Sequence, residues 1–309
     1  MRYIIAISVL LLATACGPQP AVQTPVEDSR LPIIDMHLHA FRLPDGAGPP
    51  ANPVTGLPST ADSDVELREL SLAALQRYNI VKAVASGPAE VVAQWSDAAP
   101  GRVLAGAFVD EQNPLPDPAT LRADIQAGRI HVLGELGLQY RGMAPNDPRL
   151  EPYYALAEEL DIPVGIHTGI GPAGTPYLPG SEGFRVTLGN PILVEDVLIR
   201  HPRLRLYLMH GGAPFLQETK AILAVYPQVY VDLAAINWVL PREEFHSYLQ
   251  ELMRAGFGKR LLFGSDQMFW PEAIGMAVEG IESAAFLTAQ EKRDIFYNNA
   301  VRFLRLERS

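Results

Sequence analysis

From Leu31 onward the chain alternates short apolar runs with longer segments in which apolar residues recur at helical spacing. The short runs predict strands over residues 32–38, 80–85, 103–109, 131–136, 162–167, 204–210, 228–233 and 260–265. The periodic segments predict helices over 64–78, 88–97, 117–127, 149–160, 190–200, 213–225 and 242–256, with 271–306 helical in two pieces. Eight strand-helix units in one stretch of this length predict an α/β fold of the (β/α)8 TIM-barrel type; a doubly wound open sheet is the other arrangement such alternation allows. Loop lengths favour the barrel. Helix-to-strand connections are brief (Asn79, Asp161, Pro202-Arg203, Pro227), whereas 40–63, 137–148 and 168–189, which follow strands one, four and five, are long. Barrel enzymes build their sites from the loops at the carboxyl ends of the strands, so chain length is concentrated on that face.

Within strand one, Ile33-Ile34-Asp35-Met36-His37-Leu38-His39 alternates polar with apolar residues. Side chains reverse direction at each step of a strand, which puts Asp35, His37 and His39 on one side and Ile34, Met36 and Leu38 on the other. Imidazoles at i and i+2 stand about 6 to 7 Å apart along the backbone, close enough for both rings to reach one cation such as zinc. A pair of hydrogen-bonded histidines at a strand end gives the same pattern, so the rest of the chain has to decide.

A shared cation requires further ligands at the carboxyl ends of other strands, and they are present. Strand four reaches Glu135, strand five ends in His167, strand six ends in His210 and strand eight reaches Asp266. With His37 and His39 this makes six candidate ligands on five strands. Buried imidazoles and carboxylates gathered within a few Å need a cation or protons to compensate them. The other histidines fail the positional test: His131 opens strand four at the opposite end, His201 closes a helix before Pro202, and His246 lies within a helix. These three are expected to be structural or surface residues.

Composition narrows the function classes. A net charge of -10 over 309 residues leaves no global positive field for nucleic acid, and the 48% hydrophobic content suits one large globular domain. Arg2, the apolar run Tyr3 to Ala13 and Ala15-Cys16-Gly17 have the charged start, short hydrophobic region and small-residue cleavage site of a secretory signal. Cys16 after Leu12-Ala13-Thr14-Ala15 resembles the lipobox of bacterial lipoproteins, with ordinary cleavage after Ala15 as the alternative. The expected organisation is a signal peptide over 1–16 with Cys16 as lipidation site, a Pro-, Gln- and Thr-containing tether over 17–30, and the barrel over 31–309. The expected location is the bacterial cell envelope, facing the periplasm and touching the membrane only through the lipid anchor. Cys16 is the one cysteine, so the barrel has neither a disulfide nor a thiol nucleophile.

Two competing chemistries lack their parts. Gly169-Ile170-Gly171-Pro172-Ala173-Gly174 matches G-x-G-x-x-G after a strand, but Pro172, Pro176 and Pro179 prevent a helix from opening there, which argues against a dinucleotide site. Neither a phosphate-binding G-x-x-x-x-G-K-[ST] loop nor a G-x-S-x-G elbow occurs.

Through Asp35-Met36-His37-Leu38-His39, Ile166-His167, His210-Gly211-Gly212 and Gly264-Ser265-Asp266 the chain resembles the amidohydrolase superfamily, specifically its amidohydrolase-related (amidohydrolase 2) branch. The resemblance covers residues 31–306 and implies metal ligation by His37, His39, His167, His210 and Asp266. Many binuclear members carry a bridging carbamylated lysine at the end of strand four, where this chain has Glu135. Gly134 to Tyr140 looks like the corresponding stretch of TatD-like hydrolases, in which a glutamate helps hold two metals, although Gln139 replaces their usual aspartate.

The expected function is hydrolysis of a small-molecule ester, lactone, amide or related bond by metal-activated water, with one or two divalent ions per chain, zinc being favoured. Asp266 and His210 are the candidate catalytic residues, Asp266 as proton acceptor and donor. Glu135 would bridge two ions, and Asp35 would orient a ligand imidazole. Arg185, Arg141, Tyr177, Trp238 and Trp270 in the long loops are candidate substrate contacts, Arg185 first because guanidinium binds carboxylates bidentately. The alternatives are a mononuclear metal-dependent decarboxylase of the same superfamily and a tethered metal- or ligand-binding protein.

Overall fold

A computed structural model describes residues 30–44, 50–110 and 113–306. Cys16, the expected signal peptide and residues 17–29 of the tether lie outside the described residues. Among those described, no helix is long and apolar enough to cross a membrane.

Eight strands run in chain order, each parallel to the next: β1 (Ile33–His39), β2 (Ile80–Ser86), β3 (Val103–Val109), β4 (Val132–Leu136), β5 (Val164–Ile166), β6 (Leu206–Leu208), β7 (Val229–Asp232) and β8 (Leu261–Leu262). The sheet closes where the segment after β8 meets β1: the Met36 amide donates to the Phe263 carbonyl at 2.9 Å and the Asp266 amide to that of His37 at 2.7 Å. Closure removes the open-sheet alternative. The helices are α1 (Asp64–Arg77), α2 (Ala89–Ala98), α3 (Pro118–Gln126), α4 (Glu151–Leu160), α5 (Glu195–Arg200), α6 (Leu216–Val225), α7 (Ile236–Val239), α8 (Arg242–Arg254), α9 (Ala273–Glu282), α10 (Ala289–Arg293) and α11 (Asn299–Leu304). Local chemistry fixes their starts. Ser63 accepts from the Glu66 amide ahead of α1, and Asp117 caps α3 with Pro118 at the first helical position.

Two apolar layers result. Leu38, Val164, Ile166, Leu206, Leu208, Val231 and Phe263 pack outward against helix residues such as Leu67, Trp95, Leu249 and Ile274. Ile34, Met36, Val84, Val132, Tyr207 and Leu262 fill the inside, with Phe303 of α11 packed against them. Gly165 pairs with Tyr207, and a Cβ at Gly165 would stand 2.5 Å from the tyrosine ring, so glycine makes room for the largest side chain of the inner layer.

The even alternation expected of strand one does not run through it. Leu38 belongs to the outer layer while Ile34 and Met36 belong to the inner one, and the pairing of β1 with β2 shifts register between Asp35 and Leu38. Such an irregularity changes which side the following residues face. Strands five, six and eight are also shorter than their apolar runs suggested. Beyond β6 and β8 the backbone leaves the ladder, with His210 at φ 58° and Asp266 at φ 48°, a left-handed conformation uncommon for residues other than glycine.

Candidate metal centre

Glu135 is the hub of the cluster at the strand ends. It sits on β4, 5% exposed, and its two carboxylate oxygens face different partners. Oε2 stands 3.4 Å from His37 Nε2 and 3.2 Å from His39 Nε2; Oε1 stands 2.6 Å from His167 Nδ1 and 3.4 Å from His210 Nε2. Asp266 closes the group, with Oδ1 2.9 Å from His39 Nε2 and 3.8 Å from His37 Nε2, and Oδ2 3.7 Å from His210 Nδ1. All six residues named at the strand ends are therefore brought together. His37 is sealed, whereas the other five keep a few per cent of their surface open to solvent.

Burial discourages charge on every one of these groups, yet their mutual attraction wins in most of them. Burial works to lower the His37 pKa, but Asp266, Asp232 and Glu135 hold it well above the usual histidine range. The same contest raises His39 to about 9, with Asp266 and Glu135 outweighing burial, and raises His210 through Glu135. His167 goes down, through burial and the neighbouring His210. Burial would raise the two carboxyls, but the imidazoles prevail: Glu135 is held well below the usual range and Asp266 at about 2. Protons on the rings thus balance carboxylates that a cation could balance instead.

The donor geometry fits a divalent ion. His37 Nε2 and Asp266 Oδ1 are buried without a hydrogen-bond partner, the latter even though His39 Nε2 is 2.9 Å away. Four donors arranged tetrahedrally about 2.1 Å from one centre stand about 3.4 Å apart. The four imidazole-to-carboxylate contacts that join His37 Nε2 and His39 Nε2 to Glu135 Oε2 and Asp266 Oδ1 run from 2.9 to 3.8 Å around that value. His37, His39 and Asp266 form one compact donor set, and His37, Glu135 and His210 form another. On the far side, the 2.6 Å contact of His167 Nδ1 with Glu135 Oε1 is a hydrogen-bond length, tighter than two ligands of one ion adopt.

A residue missed in the sequence completes the centre. Asp232, fully buried at the end of β7, accepts from His37 Nδ1 at 3.0 Å through Oδ2, and from the His210 and Ala234 amides at 2.9 and 3.0 Å through Oδ1. In the neutral ring that contact keeps the His37 proton on Nδ1 and leaves the Nε2 lone pair for a metal. The signal was available, because the strand-end rule that picked out Glu135 and His210 reaches Asp232 when applied to strand seven.

The role expected for Asp35 is corrected by this geometry. Asp35 Oδ1 accepts from the backbone amides of His37 and Ser265 at 2.9 and 3.0 Å, so it ties β1 to the segment after β8 while Asp232 holds the imidazole. Burial raises the Asp35 carboxyl to about 6. The loop residues also keep other company. Arg185 Nη1 donates to the Glu182 and Phe184 carbonyls of its own loop, Arg141 Nη1 donates to the Asp110 carbonyl, and Tyr177 is 89% exposed. Trp238 and Trp270 are buried, their indole N–H groups donating to the Ser265 and Pro50 carbonyls. The aromatic surface beside the cluster is made instead by Phe41, stacked on His39 with ring centres 4.3 Å apart, by Phe108 edge-on to both, and by Tyr140 against His167 at 4.9 Å.

His201 is buried between Glu151 and Glu158, His246 Nε2 lies 3.1 Å from the Gly280 carbonyl, and His131 is exposed. A surface cleft of about 390 Å³ lined by Val54, Trp238, Leu240, Arg242 and Met276 holds none of the six clustered residues. The candidate chemistry lies in the cluster rather than in that cleft, because the cluster gathers convergent donors.

The Amidohydro_2 (Amidohydrolase) family model matches residues 34–306, the whole barrel. The chain belongs to the amidohydrolase family. This amidohydrolase superposes on an uncharacterized TIM-barrel protein from Bordetella bronchiseptica with a TM-score of 0.65 and 22% identity, covering 89% of this chain and 99% of the other. It is similar, at 15% identity and a TM-score of 0.62, to a probable 2-pyrone-4,6-dicarboxylic acid hydrolase from Acinetobacter baumannii with citric acid bound, over 89% of this chain and all of that one. A 2,6-dihydroxybenzoate decarboxylase from Rhizobium aligns with a TM-score of 0.59 and 15% identity, over 89% and 99% of the two chains. In sequence, 115 residues are 27% identical to Protein fluG of Emericella nidulans, a match spanning 37% of this chain and 12% of that protein's length. The amidohydrolase barrel is thus shared by proteins named for hydrolysis and for decarboxylation, and the reaction has to be argued from the site.

Proposed function

We propose that this amidohydrolase is a metal-dependent hydrolase of a small-molecule ester, lactone, amide or related bond. The observation that carries the reading is that His37 Nε2 and His39 Nε2 each approach both Glu135 Oε2 and Asp266 Oδ1, at 2.9 to 3.8 Å, with His37 Nε2 and Asp266 Oδ1 lacking hydrogen-bond partners. These four would hold one divalent ion, zinc being favoured by the imidazole and carboxylate donors. A second ion on the His167 and His210 side would first have to displace the 2.6 Å hydrogen bond to Glu135, so loading is expected in a tight step and a weak one. A cation bound here supplies Lewis acidity, which ionises water near neutral pH and polarises an oxygen of the substrate.

The chain's own residues do the rest. Asp266, held as a carboxylate down to about pH 2, accepts a proton at Oδ2 and passes it to the departing group. His210 Nε2 and His167 Nδ1, 3.0 Å apart, face Glu135 Oε1 and make the polar wall of the site opposite His39. Phe41 and Phe108 cover the His39 side and limit water there.

Elemental analysis of the purified chain together with a turnover screen of lactones, amides, phosphoesters and aromatic acids tests the reading. Bound metal with hydrolysis is expected. Carbon dioxide release from an aromatic acid would make the chain a lyase, and bound metal without turnover would make it a binding protein. We also propose that Cys16 carries a lipid that holds the barrel at the periplasmic side of the envelope, supported by Arg2, the apolar run Tyr3 to Ala13 and the residues before the cysteine. Cys16→Ala should move the protein from the membrane to the soluble fraction; an unmodified Cys16 by mass spectrometry would overturn this.

A further inference from the structure

The join between the last strand and the first is made differently from the other seven. Neighbouring strands elsewhere share backbone ladders, whereas at this seam the residues after β8 reach β1 through side chains as well as through the two backbone contacts already given. Gln267 is fully buried and meets both backbone groups of one residue: its Oε1 accepts from the His39 amide at 2.9 Å, and its Nε2 donates to the His39 carbonyl at 2.5 Å. A primary amide offers a donor and an acceptor side by side, so Gln267 imitates the pairing that a ladder partner would make with His39.

The consequence lies one residue away. Asp266 immediately precedes Gln267, and its Oδ1 stands 2.9 Å from His39 Nε2. Asp266 and Met268 flank Gln267 at φ 48° and 47°, so neither side of it belongs to a regular strand that would hold the spacing by itself. We propose that Gln267 is a positioning residue for the metal centre: its side-chain amide sets the distance between His39 and Asp266, and through it the affinity of the site for a divalent ion. This rests on the metal-centre reading above. Asp35 does the matching work one step lower, on the backbone of His37 and Ser265.

A buried amide also stabilises the fold, so the test must separate affinity from stability. Asn299 provides the control, because its Nδ2 donates to the Gly258 and Leu261 carbonyls at 2.8 and 2.7 Å, the same kind of strap at the amino end of β8. The experiment titrates full-length wild type, Gln267→Met, Gln267→Glu and Asn299→Ala with Co2+, following the visible absorption of the bound ion and, separately, the thermal midpoint without metal. Outer partners of metal ligands typically contribute about 10- to 100-fold to affinity. Gln267→Met is expected to weaken Co2+ binding by about that factor and to alter the band shape. Gln267→Glu keeps the acceptor for the His39 amide and should fall between Gln267→Met and wild type, and it serves where Gln267→Met does not fold. Asn299→Ala should lower the thermal midpoint with unchanged affinity and spectrum.

Equal Co2+ affinity and spectra in wild type and either Gln267 variant would overturn the positioning role, as would an equal loss of affinity in Asn299→Ala. Failure of wild type itself to bind Co2+ would instead overturn the metal-centre reading on which the role depends.

Discussion

Asp232→Asn changes one atom of the centre and leaves its shape. In the native protein the two oxygens of Asp232 divide their work: Oδ1 accepts from two backbone amides and Oδ2 from His37 Nδ1. An asparagine has one acceptor and one donor end. If its oxygen stays on the His210 and Ala234 amides, its NH2 faces His37 Nδ1–H, donor against donor, and the ring must move its proton to Nε2, the atom aimed at Glu135 and Asp266. If the amide flips, its NH2 faces two backbone donors instead, leaving buried N–H groups unpaired at about 1–3 kcal/mol each. The first arrangement costs less and blocks the metal donor. Metal affinity should therefore fall about 10- to 100-fold, equivalent to about 1.4–2.7 kcal/mol. The thermal midpoint of the metal-free protein should move by only a few degrees. Competition with a chromophoric chelator gives the affinity and differential scanning calorimetry gives the midpoint. Unchanged affinity in a folded variant would refute the claim that Asp232 sets the His37 proton, and so would a large drop in midpoint with affinity intact.

The ring protons of the centre give a second expectation. His39, raised to about 9, carries a proton at neutral pH that a metal must displace, so affinity should rise by up to about tenfold per pH unit between pH 6.5 and 9, with proton release measurable in weakly buffered solution. The same raised pKa stabilises the metal-free fold fully below the unfolded value of about 6.5 and loses that contribution as pH rises through about 9, so thermal stability should fall across this window without metal and stay flatter with it. Asp266→Asn should lower turnover by about 10²-fold or more in samples matched for metal content, and a wild-type rate would remove Asp266 from proton transfer. Gly165→Ala should destabilise by about 1–3 kcal/mol in chemical denaturation, because the new Cβ meets the Tyr207 ring; an unchanged midpoint would mean that the ring has room to move.

Much of this was legible in the chain because a barrel writes its site at one repeated position. An apolar strand that ends in histidine or acid is a sharp signal, and it located His37, His39, Glu135, His167, His210 and Asp266, which the fold brings within contact of one another. Asp232 is less conspicuous because the apolar run of strand seven continues past it through Leu233 and Ala234. The Asp35 assignment relied on even alternation along strand one, and the register shift before Leu38 breaks that regularity through contacts with β2 that strand periodicity does not encode. Loop residues were least legible. Arg185 and Tyr177 had attractive chemistry, but loop conformation is set by tertiary contacts, and it commits the Arg185 Nη1 to carbonyls of its own loop. Gln267 had no motif to announce it, since its importance comes from where the barrel closes.

The most direct test is anomalous diffraction from crystals of the chain grown with zinc and measured on both sides of the zinc absorption edge. We expect a strong peak about 2.0 to 2.3 Å from His37 Nε2, His39 Nε2, a Glu135 oxygen and Asp266 Oδ1. Zinc-loaded crystals whose peaks all lie away from these atoms would contradict the proposed centre.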